Sequence, residues 1–221
     1  MTIEISVLSV MEIIGTIAFA FSGAMVAVEK RLDFLGIIVL AVTTSVGGGM
    51  FRDILIGDLP PVLFRKPIYV TIAVITAILF FFIEGSKRVK RLSLGPLHYD
   101  WFLNLMDATG LGAFTVVGVN KALSSDYDEY IFLTIFLGVI TGVGGGLLRD
   151  IMANRVPSVL REHIYACASL VGAVFYWWTR SYLGQGISMI VSAILVIVIR
   201  VLSKHYDWNL PQCKVEEEPR E

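Results

Sequence analysis

Residues 47–60 read GGGMFRDILIGDLP, and residues 144–157 read GGGLLRDIMANRVP. Gly47, Gly48, Gly49, Arg52, Asp53, Ile54 and Pro60 return 97 positions later as Gly144, Gly145, Gly146, Arg149, Asp150, Ile151 and Pro157. Three glycines followed by an Arg-Asp pair suit an ordinary apolar helix badly. Their recurrence inside two hydrophobic stretches points to a duplicated membrane unit with a broken helix in each half. The repeat extends outward. At a shift of 96, Arg65 and Tyr69 match Arg161 and Tyr165; at 95, Glu12, Gly15, Ala18, Phe19, Gly23 and Ala27 match Asp107, Gly110, Ala113, Phe114, Gly118 and Ala122. A period of that size is too long for a solenoid and suits a duplicated transmembrane bundle.

Composition agrees, with 56% hydrophobic and 17% charged residues and a mean hydropathy of +0.74. Seven apolar runs have spanning length, at about 5–27, 33–56, 67–84, 102–120, 130–153, 163–181 and 184–202. Backbone groups left unpaired in lipid are costly, so the spans are read as helices, and the alternation of a β-barrel is absent. The fold expected is an all-α integral membrane protein of seven transmembrane helices, two inverted three-helix repeats plus a seventh. It forms one transmembrane domain over 1–203, with repeats at about 5–86 and 101–182, the seventh helix at 184–202 and a polar tail at 204–221. The segment from Lys87 to Asp100 joins the halves, and the tail carries Glu216, Glu217 and Glu218.

The first span is one copy of the repeat, carries Glu4 and Glu12, and lacks the basic start of a cleaved signal peptide. Ten basic residues (Lys30, Arg31, Lys87, Arg88, Lys90, Arg91, Arg155, Arg161, Arg200 and Lys204) fall on one side and four (Arg65, Lys66, Lys121 and Arg180) on the other. By the positive-inside rule the N-terminus is outside and the C-terminus cytoplasmic. The cluster Lys87, Arg88, Lys90 and Arg91 also suits anionic lipid head groups. The net charge of -1 argues against a nucleic-acid partner. Cys167 and Cys213 give no disulfide framework, and His98, His163 and His205 are scattered, so neither metal nor cofactor is expected. The glycine segments lack the Lys-Ser/Thr of a phosphate loop, and no Ser-His-Asp set can be drawn, which argues against an enzyme.

With three spans per repeat, an odd number, the second half enters the membrane inverted, and such folds place their path at the repeat interface. A glycine in a helix costs roughly 1 kcal/mol relative to alanine, so each triplet is a weak point where the helix can kink. Freed carbonyls there favour a cation, and Thr43, Thr44, Ser45 and Thr141 can add hydroxyl ligands. Close packing is the other reading, because Ala41, Ser45 and Gly49, and equally Gly138, Gly142 and Gly146, are small residues spaced by four, and the two hold together, the stripe packing while the extra glycines bend. Arg52-Asp53 and Arg149-Asp150 fall toward opposite mouths of such a path. They are read either as charged pore sites or as arginines reaching to the interface beside a helix-end aspartate. Glu12 and Asp107, paired by the repeat, either attract cations or bond to a neighbouring helix.

These features together resemble prokaryotic TRIC proteins, the bacterial and archaeal relatives of trimeric intracellular cation channels. The resemblance rests on the two GGGxxRD segments, the proline after each, the three-plus-three-plus-one spans and the length, over about residues 5–203. It implies a homotrimer in the prokaryotic cell membrane, each protomer with its own pore for monovalent cations, chiefly potassium. It also implies kinks at Gly47, Gly48 and Gly49 and at Gly144, Gly145 and Gly146. Membrane lipid and a permeant K+ or Na+ are then the expected partners. The domain also carries the label of a glycine transporter domain, so a secondary transporter of a small solute such as glycine is the alternative to a passive channel. The Lys-Glu-Val-type lipid motif of the animal members is not evident here, and phosphoinositide regulation is not carried over.

Overall fold

The structure is a computed structural model that describes residues 6–85, 96–125, 127, 129–161 and 164–208. The basic cluster at Lys87, Arg88, Lys90 and Arg91, residue Glu4, His163, Cys213 and the acidic end of the tail lie outside the described residues, as does the side chain of His98. The described helices are α1 (Val7–Glu29), α2 (Phe34–Leu55), α3 (Val62–Arg65), α4 (Ile68–Gly85), α5 (Pro96–Leu123), α6 (Ile131–Met152), α7 (Ser158–Arg161), α8 (Tyr165–Leu183) and α9 (Gln185–His205). Each of the seven apolar runs coincides with one of the long helices. Five (α1, α2, α5, α6 and α9) are long and apolar enough to cross a membrane; α4 is apolar but shorter.

The starts and stops follow local chemistry. The Ser6 hydroxyl accepts from the Ser9 amide at 3.2 Å to open α1, and an Asp33 carboxylate oxygen accepts from the Gly36 amide at 2.7 Å to open α2. Between α8 and α9 a single residue, Gly184, turns the chain at φ 76, a left-handed conformation open to glycine at little cost.

The helix break expected at the triplets is not seen. Both α2 and α6 run as unbroken α-helices through their glycines, and no triplet glycine has positive φ. The hydrogen-bond ladder survives because the missing side chains serve packing between helices rather than unwinding. At the centre, α1 packs on α2 and α5, α5 on α6, and α2 on α6. The third long helix of each half then lies against its own pair: α4 on α1 and α2, α8 on α5 and α6. The last helix, α9, covers α5 and α8. The two halves therefore share one interior, with Phe19, Met25, Leu40, Leu111 and Leu137 fully buried in it.

Candidate functional site: two cavities about a glycine crossing

A Cβ placed on Gly48 would overlap the Thr141 carbonyl oxygen, and one placed on Gly145 would overlap the Thr44 carbonyl oxygen. A Cβ on Gly144 would come within 3.0 Å of the Gly48 Cα. Helices α2 and α6 thus cross backbone to backbone, each supplying the glycine for the other's carbonyl. The other triplet glycines do less. Gly47 faces the far end of the Leu148 side chain, Gly146 faces the Tyr165 hydroxyl, and Gly49 has only an Arg52 nitrogen, at 3.7 Å. The stripe Gly138 and Gly142 packs on Thr115 of α5. Close approach is therefore the main work of both glycine sets.

Three of the four hydroxyls suggested as cation ligands are turned onto their own helices. Thr44 donates to the Leu40 carbonyl at 2.6 Å, Ser45 to the Ala41 carbonyl at 2.9 Å, and Thr141 to the Leu137 carbonyl at 2.5 Å. Ser45 nevertheless borders a cavity, described below. A reciprocal contact follows α1 and α5: the Phe19 ring lies on Gly110, the Phe114 ring on Gly15, and the two rings are 5.4 Å apart.

Arg52, Asp53, Arg149 and Asp150 are 6%, 1%, 4% and 2% exposed. The reading of arginines reaching to the interface is overturned; both guanidinium groups are held inside by carboxylates. Arg52 clasps its neighbour Asp53 through Nε at 2.9 Å and Nη2 at 2.7 Å. Arg149 binds Asp150 through Nε at 2.9 Å, and its Nη1 reaches Asp107 at 2.5 Å and Ser22. The second oxygen of each aspartate accepts a backbone amide at 2.8 Å, Val62 for Asp53 and Ser158 for Asp150. Each Arg-Asp pair therefore fixes the end of a long helix to the start of the short helix beyond the proline, α3 or α7. The equal geometry in both halves shows why the motif is repeated. A buried arginine needs its counter-ion, and the counter-ion needs its remaining lone pairs filled.

Several partners are not marked by the motif. Glu12 accepts from the Tyr69 hydroxyl, whereas its repeat equivalent Asp107 is taken by Arg149. Arg200 of α9 donates to the Asn104 side chain at 3.2 Å and stands 4.5 Å above the Tyr165 ring. A lone arginine in an apolar helix is the signal that could have found Arg200; Ser22 and Asn104 carried none. At the chain's turn after α2, Asp58 bridges Lys121 at 2.8 Å and Arg65 at 2.6 Å. The hydrogen bonds from Lys121 and then Arg65 hold its carboxyl below the usual carboxylate range. The small stabilisation this gives is complete above the ordinary carboxylate pKa and is lost as pH falls through the lowered one.

Two cavities flank the crossing. The first, about 50 Å³, is bordered by Glu12, Thr16, Ser45, Gly49, Arg52 and Tyr69, with room for a few waters. The second, about 450 Å³, has Glu29, Asp100, Asp107 and Asp150 as its acids. On α1 the first reaches Thr16 and the second begins at Val26, about 15 Å further along the helix axis. On α5 the first touches Phe114 and the second Asp107. Between these positions on α1 and α5 lie Phe19 and Gly110, the Phe19 ring resting on Gly110. Among the described residues no group of His, Cys, Asp and Glu could hold a metal ion.

The likenesses to known proteins cover nearly the whole chain. The family model described as Glycine transporter matches residues 9–85 and 104–181, one stretch in each half. The inner membrane protein YadS of Escherichia coli K12 is 34% identical over 213 residues, 95% of this chain and 98% of that protein. A membrane protein of Deinococcus radiodurans is 35% identical over 209 residues, 94% and 92% of the two chains. A structure bearing on conductance through TRIC cation channels has a TM-score of 0.80 at 32% identity, covering 95% of this chain and 98% of that one. The TRIC trimeric intracellular cation channel orthologue from Rhodobacter sphaeroides has a TM-score of 0.79 at 28% identity, covering 91% and 99%. With a model matched in both halves and relatives alike over almost their full lengths, the chain is an all-helical membrane protein that belongs to the Glycine transporter family, the family of the TRIC channels.

Proposed function

We propose that this protein is a monovalent cation channel, permeable to potassium, conducting passively through a path inside each protomer of a homotrimer. The observation that carries the reading is the likeness to TRIC cation channels over 95% of the chain. The two cavities in line within one chain support a path in each protomer. Seven spans in two inverted halves, with the N-terminus outside, are supported by the basic-residue count and by the reciprocal contacts of Gly48 with Thr141 and Gly145 with Thr44. Two halves that exchange identical contacts are related by a two-fold rotation, and three spans per half turn that rotation into the membrane plane. Lipid surrounds exposed apolar side chains such as Leu79, Phe82, Phe132 and Trp178. Conduction then requires Phe19 and the crossing to yield a wet passage, with weak binding along it.

Purified protein in liposomes tests this directly. A potassium gradient alone is expected to drive rapid, conductive, non-saturating flux, with labelled glycine excluded. Saturable glycine uptake coupled to an ion gradient, with no conductive potassium flux, would replace the channel by a secondary transporter.

A further inference from the structure

The duplicated halves share the Arg-Asp clasp but differ in the charge of their cavities. In the first cavity the titratable lining carboxylates and cations are Glu12, Asp53 and Arg52, a net of one negative charge. Arg52 is spent on Asp53, and the partner of Glu12 is a phenol, uncharged at neutral pH. In the second cavity the cations are Arg149, Arg155, Arg161, Arg200 and Lys204; these five outnumber its four carboxylates, a net of one positive charge among the described residues. The matched triads are equal, Glu12, Asp53 and Arg52 in one and Asp107, Asp150 and Arg149 in the other, each a net of one negative charge, so the inequality comes from Arg155, Arg161, Arg200 and Lys204 outnumbering Glu29 and Asp100. Arg149 reaches across to Asp107, the repeat equivalent of Glu12, so that one guanidinium faces both Asp107 and Asp150, whereas Glu12 has no cation against it. Arg200 comes from α9, a helix with no counterpart in the first half, and adds a cation beside Asn104 and Tyr165.

We infer that Glu12 is the residue that draws cations into the path, and that the opposite net charges of the two cavities make the current asymmetric, larger when cations enter from the Glu12 end. This rests on the channel reading above. The physics is that of a charge in a confined, low-dielectric recess. It focuses the field and raises the local concentration of the counter-ion, while a like-charged recess lowers it. Glu12 is suited to this because the Tyr69 hydrogen bond fixes its carboxylate at the cavity wall without cancelling its charge.

The test is single-channel recording of the full-length protein in planar bilayers with equal potassium chloride on both sides. At low salt, with a Debye length of roughly 30 Å, the wild-type currents at opposite voltages are expected to differ by about two-fold or more. At 1 M salt, where the Debye length is about 3 Å, the ratio should approach unity. Glu12→Gln keeps an acceptor for Tyr69 and removes the charge; it is expected to lower the larger current about two-fold at low salt and reduce the ratio, the positive second cavity keeping a smaller residual difference. Tyr69→Phe removes the hydrogen bond and keeps the charge, so its asymmetry should persist. Symmetric wild-type current at low salt overturns the inference even if no variant assembles. So does an unchanged ratio in Glu12→Gln, or an equal loss in Glu12→Gln and Tyr69→Phe. In each of those results cation current is present and the channel reading stands; absence of conductive current in wild type removes both.

Discussion

Alanine at Gly48 is expected to cost the folded protein about 3 kcal/mol, and alanine at Gly145 as much. The added methyl meets a main-chain carbonyl of the facing helix, Thr141 or Thr44. A carbonyl inside a helix cannot rotate away without breaking its own hydrogen bond, so the two helices must separate and strip packing from the shared interior. One position along, alanine at Gly49 meets only an Arg52 nitrogen at 3.7 Å; it should be neutral or stabilising by up to about 1 kcal/mol through helix propensity. Thermal unfolding and size-exclusion profiles of the detergent-solubilised variants decide the matter. Equal melting for Gly48→Ala and Gly49→Ala would mean a looser crossing than the backbone contact describes. The geometry makes loss of folding the first effect.

Arg149→Gln is expected to be the most damaging of the charge changes, by about 3–5 kcal/mol. It strands two carboxylates, Asp107 and Asp150, in the interior and also takes the donor from Ser22. Arg52→Gln strands only Asp53, which keeps the Val62 amide, and its loss should be smaller. Adding Asp107→Asn to Arg149→Gln removes one of the stranded charges and should recover part of the stability, a coupling readable in a double-mutant cycle. Yield of monodisperse protein and melting temperature are the measurements. If Arg149→Gln and Arg52→Gln melted alike, the contact with Asp107 would carry no weight.

How far the sequence reached can be judged residue by residue. Long apolar runs define helices because hydrocarbon leaves the backbone no other partner, and the ends of α2 and α6 fall within two residues of the expected limits. The repeat marked Gly48, Gly145, Arg52 and Arg149 as special because their types are expensive in lipid unless something compensates. What compensates them was hidden. A triplet reads as a bend and as an approach surface together, and only the position of Thr44 and Thr141 opposite it reveals how close that approach is. The hydroxyls of Thr44, Ser45 and Thr141 looked available because a sequence does not reveal a bond to the carbonyl one turn back. Glu12 and Asp107 looked alike for the same reason. Their difference lies in which long side chain arrives, Tyr69 or Arg149, and that is a property of the folded interior.

The contact between Asp107 and Arg149 also bears on how the chain is made. The two residues stand 42 positions apart, the carboxylate on α5 and the guanidinium at the end of α6. A ribosome therefore delivers Asp107 well before its counter-ion. Of the five strongly apolar helices, the one carrying Asp107 has the lowest hydropathy, 1.4, and a lone carboxylate at mid-helix costs about 2.5–3.5 kcal/mol on insertion scales. Nascent α5 is thus poorly placed to leave the translocon by itself, and α5 and α6 should enter the bilayer as a hairpin. Stalled chains ending before Arg149 should leave α5 uninserted, and chains extended through α7 should not; insertion of α5 in the shorter chains would show that it needs no companion. A pair that ties the middle of α5 to the end of α6 would then also set the order in which the second half becomes a membrane protein.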